Sequence, residues 1–413
     1  MEKEKIKNKV IKGKKMTTDF VYSIISSIFL TGIMQIIVYP YFAAKCSNEI
    51  YGQMLTIMGI ANIFTVAIGG GLNNVHLIQM NHYDTTEAYG DFNWLLFWST
   101  SIGTVCWVIM LIFIFHVERI SIIFLAGYVC IGIFENYLAV AYRLVINYKA
   151  NLFYNVYLGV GHLLGIFLAR LFDYWPIAFF CGGMAGLSYL LKTTNLYKIR
   201  AKRTKLFKKT CQIYLVLLGT TAIANVVNYL DRFFLYPMLG GEQVTVFTVS
   251  SFVGKSIGLL VSPIAGVLLS YYAQKTFSMT VKKYWLINLC VMTAGMICVI
   301  GTIMFGPWIT RLIYPTVADA TKQYLFIANM SSLVSALTSI LMPSILKFAN
   351  VFWQIVIQLI YALMYITCGY FALGENGLMG FCISTLLVNA LKALILIGIG
   401  HFSIARMERK NVK

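Results

Sequence analysis

Charged residues inside long apolar runs are the groups in this sequence that could do chemistry. The stretch NVVNYLDRFFLYP, residues 225–237, holds Asp231 beside Arg232, and a second apolar run carries Lys255 near its centre. A charge in the middle of a bilayer costs about 2.5–3.5 kcal/mol on insertion scales, so it faces another helix or a wet cavity rather than lipid. In a cavity these cations would bind an anion. The simpler alternative is a buried ion pair between Lys255 and Asp231.

Polar residues at helical spacing accompany two of these runs. Asn225 and Asn228 precede Arg232 at steps of three and four, and Thr31 and Gln35 are four residues apart in an earlier run. Residues at such steps share one face of a helix. Hydrogen bonds between helices would also explain these faces. Asp231 and Arg232 could instead mark the outer membrane boundary.

Three further charges lie in apolar runs. Lys392 follows Asn389 by three residues, and Glu135 precedes Arg143 by two helical turns. Lys392 could extend along its helix to the cytoplasmic surface, and Glu135 could pair with Arg143. Because Lys255 and Lys392 have no acid on their own helices, the charges suit an anionic substrate.

Composition identifies the elements that must position these residues. Of 413 residues, 59% are hydrophobic and 12% are charged, whereas soluble domains have about a quarter charged. Runs of about 20 apolar residues must cross a bilayer as helices, which predicts an all-α polytopic membrane protein. The twelve predicted spans are 17–42, 50–77, 92–115, 120–142, 153–171, 175–196, 211–236, 244–271, 284–305, 321–346, 351–373 and 376–402.

Basic residues are distributed unevenly between alternate loops. With the N-terminus in the cytoplasm and residues near span ends counted with the adjacent loops, inside segments hold 25 of the 33 Lys and Arg, outside loops hold 5, and 3 lie deep within spans. This is the positive-inside bias of a cytoplasmic-membrane protein, and it explains the net charge of +18 without nucleic acid. We therefore expect both termini in the cytoplasm and the lipid bilayer as the surrounding partner.

An internal repeat divides the chain. Tyr39-Pro40 and Tyr236-Pro237 end spans 1 and 7 at an offset of 197 residues, about half the chain. Two related six-helix halves are a common transporter plan. The predicted order is a basic N-terminus (1–16), an N-terminal lobe (17–196), a basic cytoplasmic linker (197–210), a C-terminal lobe (211–402) and a cytoplasmic C-terminus (403–413).

Catalytic motifs were not found in the sequence. The nine Cys are scattered without a CxxC or Cys/His spacing, and the run Gly69–Gly71 is not followed by the Lys of a phosphate-binding loop. We expect close helix contact or a bend at Gly69–Gly71, no cofactor or metal, and no enzymatic activity. The sequence leaves a coupling ion open between H⁺ and Na⁺.

Several segments resemble the Wzx-type polysaccharide repeat-unit flippases of the multidrug/oligosaccharidyl-lipid/polysaccharide (MOP) exporter superfamily. They are YGQM after the first loop, GGGLNN at the end of span 2, and DRFFLYPMLGGEQVTVFTVSSFVGK. The resemblance covers nearly the whole chain. It implies two six-helix lobes, related by a pseudo-two-fold axis, around a central cavity that opens alternately to each side.

The same resemblance implies a function. Its substrate would be an undecaprenyl-diphosphate-linked oligosaccharide, moved to the outer leaflet for O-antigen or capsule synthesis, with a polysaccharide polymerase and a chain-length regulator as partners. Arg232 and Lys255 occupy positions where such flippases line the cavity with charge, whereas Gln35 is uncharged. The alternatives are a multidrug exporter of the same superfamily, a lipid II-type flippase with two further spans, and a polymerase, for which the large extracytoplasmic loop is absent.

Overall fold

The structure, a computed structural model, describes residues 21–22, 25–79, 83, 90–145, 147–273, 279–349 and 351–411. Within these ranges the chain is almost entirely helical and contains no strand. The helices are α1 (Ile25–Lys45), α2 (Asn48–Gln79), α3 (Gly90–Phe113), α4 (Arg119–Leu144), α5 (Tyr148–Phe172), α6 (Pro176–Thr193), α7 (Phe207–Asn228), α8 (Leu230–Ser250), α9 (Phe252–Ala273), α10 (Val281–Ile313), α11 (Ala318–Phe348) and α12 (Val351–Asn411).

These helices confirm the predicted all-α polytopic membrane class. Within the described residues, nine helical stretches are long and apolar enough to cross a membrane. One of them, Val356–Arg409, has 54 residues and would extend about 80 Å if straight, more than two bilayer cores. It bends at Asn376 and Gly377, where the predicted spans 11 and 12 meet.

The region of spans 7 and 8 differs from the prediction of two continuous helices. α7 ends at Asn228, Tyr229 lies between helices with φ −118° and ψ 14°, and α8 begins at Leu230. α8 itself consists of two helices that meet in a kink at Gly240, where φ is 81°, within the predicted loop between spans 7 and 8. A further break at Ser251 separates α8 from α9. The predicted span 7 is therefore a discontinuous helix.

The chain folds into two compact units. The first contains the residues up to Phe42 together with Ile57–Tyr229, and the second contains Ala43–Thr56 together with Leu230–Lys413. The units divide between Tyr229 and Leu230, and the second unit includes the end of α1 and the start of α2. The predicted lobe and linker bounds stay predictions. The pseudo-two-fold relation of two six-helix lobes stays a prediction.

Small residues bring α5 and α6 together in the first unit. Gly161 and Gly165 are four residues apart, the spacing at which two helix backbones can approach closely. A Cβ at Gly165 would lie 2.6 Å from the carbonyl oxygen of Ala178, and one at Gly161 would lie 2.8 Å from that of Cys181. The absence of side chains at these positions therefore permits the contact.

The run Gly69–Gly71 lies where α2 changes its hydrogen-bonding pattern. Residues Val66–Gly70 form a π-helical turn, and a Cβ at Gly69 would collide with the carbonyl of Ile133 on α4. The expected close helix contact is present in this segment. π-helical turns are an identifiable cause of bending in long helices.

The predicted linker is bound to the start of α3. The buried Asp91 carboxylate accepts hydrogen bonds from the backbone N–H of Thr204 (2.7 Å), from the Thr204 hydroxyl and from the Tyr83 hydroxyl (3.0 Å). Burial raises the pKa of Tyr83 to about 12, so its hydroxyl stays a donor at neutral pH. Arg203 stacks 4.0 Å above the ring of Trp94. These contacts hold the linker against the first unit.

In the second unit, α9 packs closely on α11. A Cβ at Gly254 would lie 2.7 Å from the backbone oxygen of Asn329, and the Gly254 N–H donates to the Asn329 side-chain oxygen at 2.7 Å. This N–H belongs to the first turn of α9, where backbone donors lack partners within the helix. The Asn329 side chain therefore accepts a backbone N–H that the break at Ser251 leaves without a partner in the helix.

Many large apolar side chains are exposed on both units. On α10, for example, Ile297 is 70% exposed, Met304 66% and Trp308 65%. Surfaces of this extent would cause aggregation in water but suit contact with lipid. The outward faces of the helices therefore agree with a membrane location.

Candidate functional site

Asp231 and Lys255 form an ion pair in the second unit. The Lys255 Nζ lies 2.6 Å from Asp231 Oδ2, with 41% of the lysine side chain and 8% of the aspartate side chain exposed. Asp231 is the second residue of α8, after the break at Tyr229, and Lys255 is in the first turn of α9. The ion-pair alternative considered for Lys255 is therefore present, yet the lysine keeps an open side.

Arg232 is held by both its backbone and its guanidinium. Its N–H donates to Asp231 Oδ1 at 2.9 Å, and its Nη1 donates to the carbonyl oxygen of Leu55 on α2 at 2.5 Å. Leu55 belongs to the same compact unit, because Ala43–Thr56 pack with the second half of the chain. Asp231 thus uses one oxygen for Lys255 and the other for Arg232.

Lys392 is a second cation of this unit, and its contact in the described part of the chain is an aromatic ring. Its Nζ lies 4.0 Å from the centre of the Tyr361 ring, a cation–π contact. Among the described residues it makes no ion pair, since the two recorded pairs involve Lys255 and Lys322. The preceding turn carries Asn389, which donates to the Ser331 hydroxyl at 3.0 Å. Lys392 is half-buried, so its charge is not fully solvated.

Aromatic rings connect the surroundings of Lys255 and Lys392. Lys255 Nζ lies 5.0 Å from the centre of the Phe247 ring, and Phe247 packs edge-on against Phe381 at 5.4 Å. Phe381 in turn lies 5.9 Å from the Tyr365 ring, and Tyr365 lies 5.7 Å from Tyr361, the ring that contacts Lys392. We call Arg232, Lys255 and Lys392, with Asp231, the cation cluster. It contains three positive charges and one negative charge.

The polar stripe predicted on span 7 is interrupted. Asn225 donates to the carbonyl of Thr221 on its own helix at 2.9 Å. Asn228 is the last residue of α7, and its side chain lies outside the described residues. The break at Tyr229 separates both from Arg232, so the helical spacing across this position no longer defines one face. The Tyr229 hydroxyl accepts a hydrogen bond from Asn62 at 2.6 Å.

Thr31 and Gln35 lie on α1 in the first unit. Both side chains are half-buried, and Gln35 is in the π-helical segment Ile33–Val38. They belong to a different compact unit from the cation cluster. Their role as substrate-binding residues stays a prediction.

Glu135 and Arg143 do not pair with each other. Arg143 is exposed and donates to the side-chain oxygens of Asn73 (2.8 Å) and Asn74 (3.1 Å) at the end of α2. Glu135 is buried in the first unit, with 5% of its surface exposed. α4 is interrupted at Ala139, between the two residues, so they do not share the regular helical face that the spacing predicts. Glu135 is an interior residue rather than one on an open surface.

Sequence reasoning missed several partners of these charges. The Leu55 carbonyl, Tyr361 and Asn73 are distant in sequence from the charges they contact and carry no local motif. Glu49 was also missed. Its carboxylate accepts the backbone N–H groups of Gly241 and Glu242, each at 2.9 Å, beside the bend at Gly240. An acid preceding span 2 and a Gly-Gly pair following span 7 were the available signals.

Comparison with known proteins identifies the fold. No protein-family model and no curated protein sequence matches the chain. The lipid II flippase MurJ in an inward closed conformation matches 94% of this chain and 87% of its own, with a TM-score of 0.69 and 12% identity. An inward-facing multidrug-resistance MATE family transporter of the MOP superfamily matches 95% and 96%, with a TM-score of 0.61 and 14% identity.

A MATE transporter from Vibrio cholerae, VcmN, in a mutant form, gives a similar result. It matches 95% of this chain and 97% of its own, with a TM-score of 0.64 and 10% identity. At such identities the comparison concerns the fold. The chain has the all-helical fold that MurJ and these MATE transporters share.

Proposed function

We propose that the chain is a flippase of the MOP superfamily. It translocates undecaprenyl-diphosphate-linked oligosaccharide repeat units from the cytoplasmic to the outer leaflet of the bacterial cytoplasmic membrane, and so supplies O-antigen or capsule synthesis. The fold supports a transporter, because the similar structures are a flippase and MATE transporters. The substrate class follows from the Wzx-type resemblance and from the charges of the second unit.

The cation cluster is the observation that carries the proposal. Asp231 can balance only one of its three cations, and Lys392 makes no ion pair among the described residues. An uncompensated charge inside a membrane protein costs free energy unless a ligand or water contacts it. An anionic headgroup would supply the missing negative charge. A diphosphate is such a headgroup, and it cannot cross hydrocarbon without a polar environment.

The members of the cluster would act differently on a diphosphate. Arginine offers a planar fork of donors that can bind phosphate through two hydrogen bonds, whereas lysine presents a point charge. In the structure Asp231 and the Leu55 carbonyl orient Arg232, and Asp231 orients Lys255. Lys392, which contacts the Tyr361 ring and pairs with no acid among the described residues, is the cation with the least competition from a carboxylate.

Alternating access would move the headgroup while the lipid tail stays in the bilayer. The proposed architecture has two six-helix lobes joined near 197–210, with a central cavity lined by the cation cluster and by Thr31, Gln35, Asn225 and Asn228. Both termini and the linker would be cytoplasmic. The basic segments 3–15 and 198–209 support this orientation through the positive-inside rule.

A multidrug exporter is the second candidate function. The MATE transporters match nearly the whole chain in both directions, so the fold suits either activity. A site for cationic drugs would favour carboxylates, and the cation cluster holds a single one. The sign of its charge therefore favours the flippase.

The test is a series of charge-removing substitutions in the cation cluster. We expect Arg232→Gln, Lys255→Met and Lys392→Met to lower surface-glycan export strongly at normal protein level, and Arg232→Lys to lower it less, because lysine keeps the charge but loses the fork. Export would be measured by complementation of a strain that lacks the flippase, with membrane protein quantified in parallel.

Lys322→Met is the matched control. Lys322 is 72% exposed and pairs with Asp319 at the start of α11, outside the cation cluster, so its loss should leave export unchanged. If Arg232→Gln, Lys255→Met and Lys392→Met all supported normal export, the cationic-site account of substrate binding would be wrong.

A further inference from the structure

Glu135 is a buried carboxyl group of the first unit to which the proposed anion site assigns no role. Glu135 is 5% exposed, and its Oε1 has no hydrogen-bond partner among the described residues. It lies about 24 Å from the start of the 26-residue helix α4 and about 14 Å from its end. Glu135 therefore lies well inside α4 rather than at either end.

The neighbouring helix is shaped to receive this group. Gly183 and Gly186 of α6 are one turn apart, and both face the carboxyl. A Cβ at Gly186 would collide with Glu135 Oε1, and one at Gly183 would lie 4.0 Å from Oε2. Leu158 of α5 closes the same space, since the Gly186 Cβ would also lie 2.7 Å from its Cδ2. The carboxyl thus fills a slot left by two glycines.

The titratable groups around the slot leave the carboxyl without a counter-charge. Tyr128 of α4 and Tyr154 of α5 are its electrostatic neighbours, and both are phenols. The Nδ1 atom of His162 on α5 lies 2.7 Å from the carbonyl oxygen of Leu158, and its ring packs against Gly182. α6 presents glycines to the carboxyl.

Cations and polar groups of the remaining helices are engaged elsewhere. Arg143 binds Asn73 and Asn74, and His76 of α2 lies 3.2 Å from the Tyr137 hydroxyl. Among the described residues, neither recorded ion pair includes Glu135. An ionised carboxylate buried without partners is far too costly, so the group is held as the neutral acid.

We propose that Glu135 is the proton-binding site of the first unit and that its proton is the coupling ion of the transport cycle. This inference rests on the proposed transport function. When α4, α5 and α6 separate enough to admit water, the acid releases its proton to that water, and the remaining carboxylate accepts hydrogen bonds from water and from nearby phenols. Reclosure requires the group to take a proton again. One proton can thus be bound from one side and released to the other.

A proton fits this slot better than a sodium ion. Hard cations take a shell of several oxygen ligands. The groups against the carboxyl are glycine backbone and a leucine side chain, and the two phenols lie within electrostatic range, so few oxygens are available. Na⁺ coupling at this site is therefore an outcome that would overturn the proposal.

The direct test measures the protonation of Glu135 without any substrate. The purified protein in lipid nanodiscs would be titrated with pH, and the infrared band of protonated carboxyl groups recorded. We expect a band at neutral pH that is lost in Glu135→Gln and kept in Glu118→Gln, which removes an exposed carboxyl at the start of the same helix. No difference between wild type and Glu135→Gln, or a band that responds to Na⁺ at constant pH, would refute the proton site.

Substitutions on α6 test the slot separately. Gly186→Ala should displace the carboxyl and shift its infrared band, whereas Gly183→Ala should shift it little, because the added Cβ would sit at ordinary contact distance from Oε2. If both substitutions left the band unchanged while the protein stayed folded, the carboxyl would not occupy the slot. Thermal unfolding of each variant distinguishes this result from loss of the fold.

The coupling role needs a transport measurement. In proteoliposomes an imposed proton gradient should stimulate headgroup translocation by the wild type and by Glu118→Gln. In Glu135→Gln we expect loss of that stimulation, with gradient-independent exchange retained. Full stimulation in Glu135→Gln would show that the proton binds elsewhere. Absence of translocation by the wild type would instead refute the proposed function, while the infrared result still decides the proton site.

Discussion

At Asp231 the two carboxylate oxygens have different partners, the Lys255 ammonium and the backbone amide of Arg232. Oδ2 contacts the Lys255 ammonium, Oδ1 accepts the Arg232 N–H, and only 8% of the aspartate side chain is exposed. Removing one partner of a buried pair leaves a charge that nothing compensates, whereas removing both can be nearly neutral. The pair is therefore both a structural element of the second unit and part of the proposed anion site.

Double substitution separates these two roles. Lys255→Met should lower the free energy of unfolding by about 1–3 kcal/mol, less than for a fully buried pair because the lysine is partly exposed. Adding Asp231→Asn should restore part of that loss, although export should stay impaired. Thermal and chemical unfolding in detergent would give the free energy of unfolding of each variant in this double-mutant cycle.

The pair Asp319–Lys322 is the matched control, since its atoms are 2.8 Å apart but both side chains are largely exposed. The same substitutions there should leave stability unchanged. If Lys255→Met were as stable as the wild type, or the double variant no better than the single one, Asp231 would not depend on Lys255 for compensation.

Individual charges could be located from the sequence more readily than their partners. Lys255 stands out because it lies in the middle of an apolar run, and Asp231 was considered as its partner because it also lies in such a run. Arg143 was assigned to Glu135 by helical spacing, but its acceptor Asn73 lies 70 residues away on another helix. Spacing reports neighbours on one helix, and it carries no information on which helices touch.

Among the helices, α8 shows most clearly what apolar patterning cannot resolve. A hydropathy window averages over about 19 residues, so one non-helical residue within a long apolar stretch leaves no signal. The breaks at Tyr229 and Ser251 were missed for this reason, whereas the helices of the other spans were located. Gly240 lies in the predicted loop between spans 7 and 8, and the structure has a kink between two helices at this residue.

Substitution of Gly240 tests this bend. Its φ of 81° suits glycine, and an L-residue there would cost about 1–2 kcal/mol. We expect Gly240→Ala to lower the thermal stability of the protein. Gly301→Ala on α10 is the control, because its Cβ would meet open space in a regular helix, and it should be neutral or slightly stabilising.

Glu49 supplies an independent check on the same bend. Its carboxylate accepts the N–H groups of Gly241 and Glu242, so Glu49→Gln should also destabilise the protein, by weakening two charge-assisted hydrogen bonds. Equal stability of Gly240→Ala and Gly301→Ala would contradict the assigned backbone conformation.

For the whole molecule, the exposed apolar faces of the helices and the fold both indicate a polytopic membrane protein. The uneven distribution of basic residues predicts its orientation in the membrane. With the nine native cysteines replaced, a cysteine at Lys205 should be inaccessible from outside the cell to an impermeant thiol reagent. A cysteine at Asp319, exposed and in a predicted outer segment, should react. Labelling of Lys205→Cys from outside, without lysis, would contradict the proposed orientation.

The central claim is that the chain moves a diphosphate-linked oligosaccharide across a bilayer, and the most direct measurement uses the purified protein in liposomes. The lipid-linked oligosaccharide is placed in both leaflets, and an enzyme that cannot cross the membrane modifies the outer headgroups. We expect wild-type protein to make the inner pool of lipid-linked oligosaccharide accessible to this enzyme. Arg232→Gln/Lys255→Met should do so far more slowly, whereas Lys322→Met should equal wild type. Failure of the wild type to expose the inner pool, combined with export of a cationic drug from the same liposomes, would contradict the account and favour the multidrug exporter.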